Sequence, residues 1–166
     1  MSKKWTWVVF VVATVVLLAL DIWLKVWAVD NLQGQPRRVL IDGILGLTYL
    51  ENTGAIFGLF GGLNARWILA GFKAVILVGV GLYYWWLPHE PRMWFLRVPL
   101  ILVFAGGVGN LFDRVAIGAV RDMLEFLFIN FYIFNLADVY VTVGVFVLAF
   151  IALFVIKDFP APWEKR

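Results

Sequence analysis

Four apolar runs, each as long as a membrane-spanning helix, dominate this chain. A bilayer core of about 30 Å needs about 20 mostly apolar residues per helix. Residues 5–29, 67–87, 93–114 and 136–156 meet that requirement. Soluble domains are about 45–50% apolar and about 25% charged. Here 63% of residues are hydrophobic and 15% are charged. The 166 residues therefore read as a single all-α integral membrane domain. Trp5, Trp7, Trp23, Trp27, Trp67, Trp94 and the aromatic run at 83–86 mark the ends of the runs, as interfacial residues do.

Lys3 and Lys4 resemble the start of a cleaved signal peptide, but the run that follows is too long and no small-x-small site ends it. It reads as a retained helix. Four spans put both termini on one face, with Lys3, Lys4, Arg92, Arg97, Lys157, Lys165 and Arg166. The opposite face carries Arg37, Arg38, Arg66, Arg114 and Arg121. Seven basic residues against five favours cytoplasmic termini. The basic residues are scattered and form no stripe, which argues against nucleic acid as a partner.

The outer segments, 30–66 and 115–135, then carry the chemistry. Arg38-Val39-Leu40-Ile41 and Leu47-Thr48-Tyr49-Leu50 read as short strands around the turn signal Asp42-Gly43. The apolar piece at 55–60, with glycines around it, reads as a short interfacial helix. Segment 115–135 reads as a connection between the third and fourth spans.

Absent residues narrow the chemistry. The chain has no cysteine, one histidine (His89) and one serine (Ser2, in the N-terminal tail). Serine and cysteine nucleophile systems lose their nucleophile. His89-Glu90 begins like a zinc motif, but Met93 occupies the second ligand position. No metal or other cofactor is implied. For a hydrolase, aspartate is almost the sole catalytic side chain left.

Asp122 and Asp138 are the candidate catalytic residues. A carboxylate at a membrane edge is costly and usually functional, and two that share a proton can activate a water. Each also has a structural reading. Asp122 could be a surface acid paired with Arg121. Asp138 falls at the third position of a helix that Asn135 would cap, close to a capping box. Capping and catalysis are compatible, since a rigid helix start mounts a catalytic group well.

Gly106, Gly109, Asn110 and Asp113 share one helix face. Ala105 and Gly109 would let another helix approach, but packing needs no carboxylate on that stripe. Asp113-Arg114 reads as an orienting or substrate-binding pair. Asp21 and Lys25, at i and i+4, read as a structural polar pair, with Lys25 snorkelling. Asn52-Thr53-Gly54 has the composition of a turn. Lys73, near mid-span, has no clear assignment.

These pieces together resemble the lipoprotein signal peptidases of bacteria, the type II signal peptidases. Asp21-Ile22-Trp23-Leu24-Lys25 is similar to the family's D-Q-x-x-K, and Asn52-Thr53-Gly54-Ala55-Ile56-Phe57 to N-x-G-A-x-F. Gly106-Gly107-Val108-Gly109-Asn110-Leu111-Phe112-Asp113-Arg114 resembles G-G-x-x-G-N-x-x-D-R. Val120-Arg121-Asp122 and Phe134-Asn135-Leu136-Ala137-Asp138 resemble the two blocks that hold the catalytic aspartates. Ile22 and Met123 depart from the pattern without removing a catalytic group.

The resemblance implies a fold of four transmembrane helices, a small periplasmic β-cradle and a short periplasmic helix. It implies a monomeric aspartic endopeptidase of the bacterial inner membrane, with its site at the periplasmic face. The substrate would be a diacylglyceryl-prolipoprotein, cut on the N-terminal side of the lipidated cysteine. Asp122 and Asp138 would form the catalytic pair. Asn52, Gly54, Asn110, Asp113, Arg114 and Asn135 would orient the substrate, among membrane lipids. Two other readings stand beside it. One is a proton-linked transporter or channel using Asp21, Lys25, Lys73 and Asp113 as a relay. The other is a non-catalytic assembly factor with the glycine stripe as its contact.

Overall fold

The computed structural model describes residues 2–54 and 63–155. The apolar piece at 55–60, with the short helix expected there, lies outside the described residues. Helix α1 (Lys3–Leu32) starts at Ser2, whose hydroxyl accepts from the Trp5 N–H, and runs three residues past the expected end at 29. Helices α2 (Leu63–Trp86), α3 (Trp94–Ala116) and α4 (Leu136–Phe150) follow, and α4 continues into a π-helical turn, Ile151–Val155. Each of the four is long and apolar enough to cross a membrane. Phe72, Val75, Phe146 and Phe154 stand exposed on their outward faces. Such a surface suits lipid, where a helix satisfies its own backbone.

The close pairing of α3 and α4 depends on missing side chains. A Cβ at Gly106 would run into the Ala137 carbonyl, and one at Gly144 would lie 2.8 Å from the Pro99 carbonyl. Small residues let backbones approach this closely where no hydrophobic effect drives helices together.

Three strands form one antiparallel sheet in the order β1 (Arg38–Ile41), β2 (Leu45–Asn52), β3 (Val120–Phe126). The first two were expected. The third replaces part of a segment read as a plain connection. Gly118, at φ 83°, turns the chain out of α3 and feeds this strand. Leu50 stands opposite Asp122 and Asn52 opposite Val120 across β2 and β3.

Two apolar clusters occupy opposite ends of the bundle. Phe10, Tyr84, Leu87, Met93, Leu96 and Ile151 pack at the end nearer the termini. There the buried Arg97 donates to the carbonyl of Tyr84 in the last turn of α2 and to those of Leu87 and Pro88 just beyond it. Ala28, Leu32, Leu47 and Met123 join α1 to the underside of the sheet. The polar residues of interest lie between the two.

Candidate active site

Asn135 organises the centre. It caps α4: its side-chain oxygen accepts the Asp138 N–H at 3.0 Å, while Asp138 Oδ2 accepts the Asn135 N–H at 3.2 Å, a reciprocal capping box. The Asn135 amide nitrogen then donates to Asp122 Oδ1 at 2.6 Å and to Asn110 Oδ1 at 3.0 Å. One fully buried residue thus holds both carboxylates, Asp122 through its side chain and Asp138 through its backbone. From β2, Asn52 donates to Asp122 Oδ2 at 3.1 Å. From α3, Asn110 donates to Asp138 Oδ1 at 2.7 Å. The Gly54 N–H in turn donates to Asn52 Oδ1 and fixes which way that amide points. Gly54 has φ 75°, and a side chain there would crowd Leu69 and the Arg114 guanidinium.

Asp122 is almost wholly buried, so the surface-acid reading does not hold. Burial raises its pKa to about 6 against the opposing hydrogen bonds from Asn135 and Asn52, and the nearby Asp138 pushes the same way. Because the folded-state value lies above the unfolded one, the stability this group contributes is present in full at low pH. It is lost as pH rises through about 6.

Behind the carboxylates lies a second layer. Lys25 Nζ sits 2.8 Å from Asp21 Oδ2 and 3.5 Å from Asp113 Oδ2, and donates to Asn110 Oδ1 at 3.3 Å. It is fully buried and does not snorkel. The cation holds the Asn110 oxygen, which leaves the Asn110 NH₂ for Asp138. Asp21 Oδ1 accepts the Ala137 N–H at 3.0 Å, a second cap on the start of α4 supplied from α1. Asp113 turns to Arg121 rather than to its neighbour Arg114: Arg121 Nη2 lies 2.6 Å from Asp113 Oδ1, and the Arg121 N–H donates to Oδ2.

Replacing Lys25 by methionine leaves Asp21 and Asp113 buried without their shared cation. A cost of about 3–5 kcal/mol is expected, the usual size for breaking a buried pair from one side. Unfolding in detergent measures it, and an unchanged midpoint would count against this arrangement.

A cleft of about 810 Å³ opens onto the two aspartates. Leu50, Glu51, Asn52 and Thr53 form one wall, and Phe126, Phe131, Tyr132 and Phe134 another. The base holds Asp122 and Asp138; Asp113, Arg114 and Gly54 do not line it. The aromatic wall and the reach of Lys25 to Asn110 were not singled out in the sequence. A dense run of aromatics at 126–134 was the available signal for the wall.

Known proteins resemble this chain over most of its length. The family model for signal peptidase II matches residues 13–154. The lipoprotein signal peptidase of Streptococcus thermophilus strain CNRZ 1066 is 40% identical over 140 residues, covering 84% of this chain and 89% of that one. That of Clostridioides difficile strain 630 is 38% identical over 145 residues, covering 87% and 95%. A bacterial membrane enzyme solved by the in meso method at 1.9 Å resolution aligns with a TM-score of 0.79 at 25% identity, over 89% of this chain and 94% of that one. A match that spans three membrane-length helices, most of the first and every residue of the carboxylate cluster makes this chain a member of the signal peptidase II family.

Proposed function

We propose that this chain is a membrane aspartic endopeptidase that removes signal peptides from diacylglyceryl-modified bacterial prolipoproteins. The cut falls on the N-terminal side of the lipidated cysteine. The observation that carries this reading is the pair Asp122 and Asp138, held by one asparagine in a mostly apolar cleft.

Asp122 carries the shared proton, consistent with its raised pKa of about 6. Asp138 is the ionised partner, favoured by its place in the first turn of α4. The base takes a proton from water as the water oxygen attacks the scissile carbonyl carbon, and Asp122 gives its proton to the carbonyl oxygen. On collapse the C–N bond breaks, Asp138 gives its proton to the leaving nitrogen, and Asp122 takes a proton back from a hydroxyl of the gem-diol, which restores the starting pair. Asn52, Asn110 and Asn135 aim the carboxylates. Gly54, Asp113, Arg114, Asp21 and Lys25 hold those asparagines and the surrounding backbone in place. The aromatic wall takes the acyl chains, which enter from the bilayer.

The enzyme works as a monomer in the bacterial inner membrane, with cytoplasmic termini and the sheet at the outer face. A transmembrane relay is less well supported. Asp21, Lys25 and Asp113 cluster with the dyad, and the apolar cluster of Phe10, Leu87, Leu96 and Ile151 fills the far end.

A gel-shift cleavage assay in detergent or liposomes tests the reading, with a diacylglyceryl-modified prolipoprotein and its unlipidated form. Cleavage of the lipidated form alone is expected. No cleavage by folded protein, together with ion flux in empty liposomes, would favour the transporter. The pair must keep one proton, so kcat/KM should fall as pH rises through about 6, where Asp122 loses it. A flat profile from pH 5 to 8, read as about a tenfold change or less, would contradict the assignment of the acid.

A further inference from the structure

Lys73 lies outside the network described above, and its placement follows from the packing of α2 on α3. Leu77 meets α3 at Gly107, where a Cβ would lie 2.5 Å from its Cδ2. Leu69 lies at the other end of the same contact: a Cβ at Gly54 would meet both Leu69 Cδ1 and the Arg114 guanidinium. Positions 69, 73 and 77 share one helix face. Eight residues of α2 rise about 12 Å and the seven from Gly107 to Arg114 rise about 10.5 Å. The two helices therefore run antiparallel in register, and Lys73 stands level with Asn110 and Leu111. Asn110 is the residue that donates to Asp138.

The Lys73 side chain is half-buried and has no hydrogen-bond or ion-pair partner among the described residues. The charges that act on it are Arg114, Asp138, Lys25 and Asp122. An ammonium in a membrane-spanning helix is costly to leave without a purpose.

We propose that Lys73 is a positioning residue that sets the pH window of the Asp122–Asp138 pair by the field of its ammonium, without touching either carboxylate. This rests on the peptidase reading. Asp122 also feels Lys25 from α1 and Arg114 from α3, while Asp21, Asp113 and Arg121 are bound among themselves and to Lys25. Glu51 of β2 shares the cleft with the pair. Lys25 is divided between two carboxylates and Arg121 is bound to one of them. Lys25 nevertheless acts on Asp122, and Lys73, which has no carboxylate at ion-pair distance among the described residues, acts on both acids. A cation facing two acids favours their ionised forms.

The test is the pH profile of kcat/KM on the lipidated precursor for wild type, Lys73→Met and Lys73→Arg. Methionine matches the length of the side chain and suits a membrane helix. Lys73→Met should move the fall in activity to higher pH by about half a unit to one unit, as expected for a charge beyond contact distance. Lys73→Arg should keep the wild-type profile. An unmoved profile in Lys73→Met, or a uniform loss of activity at every pH, would overturn the proposal. If Lys73→Met does not fold, Lys73→Leu is read in the same way. Failure of wild type to cleave would instead sink the peptidase reading on which the proposal stands.

Discussion

Asp122→Asn is expected to lower turnover by about 10³-fold or more, and Asp138→Asn to do the same, while both proteins stay folded. Asparagine keeps the size of each side chain. At 122 it can still accept from Asn52 or Asn135 through one oxygen. At 138 it can still accept from the Asn135 N–H or from Asn110. What is lost is the shared proton in one case and the base in the other. Steady-state cleavage alongside thermal unfolding in detergent separates the two effects. Near-normal turnover in Asp138→Asn with a dead Asp122→Asn would show that Asp138 is not the base.

The second large effect belongs to a residue with no ionisable group. Asn135→Asp should also cut turnover by about 10³-fold, although aspartate is as good a helix cap as asparagine. Its oxygen still accepts the Asp138 N–H. The NH₂ that held Asp122 at 2.6 Å becomes a carboxylate oxygen facing a carboxylate. The same atom now faces the Asn110 oxygen instead of donating to it. A third acid in this space raises the pKa of its neighbours and misaims Asp122. If Asn135 only capped α4, the replacement would be neutral. Activity and melting close to wild type would therefore contradict its part in the dyad.

Local features of this site were legible in the sequence. Helix length and the apolar runs are properties of consecutive residues, and so is the spacing of Asn135 and Asp138 that forms the capping box. The turn at Asp42-Gly43 was equally plain, with Gly43 at φ 66°. Strand β3 was not, because Arg121, Asp122 and Glu125 interrupt it, and acidic residues are depleted in strands. Its place comes from pairing with β2, far away in the chain. The partners in the buried network were hidden for the same reason. Adjacency suggested Asp113 with Arg114, yet the sheet brings Arg121 to Asp113. Lys25 and Asn110 are 85 residues apart, and Asp21 and Ala137 are 116 apart. Only the assembled bundle shows that the polar pair on α1 supports the two carboxylates from behind.

The proposed dyad should cut a lipidated precursor immediately before its modified cysteine. Intact-mass spectrometry of both products from wild-type cleavage measures this most directly. A mature fragment that begins at the diacylglyceryl cysteine and a complete free signal peptide are expected. A cut at any other bond, or equal cutting of the unlipidated precursor, would contradict it.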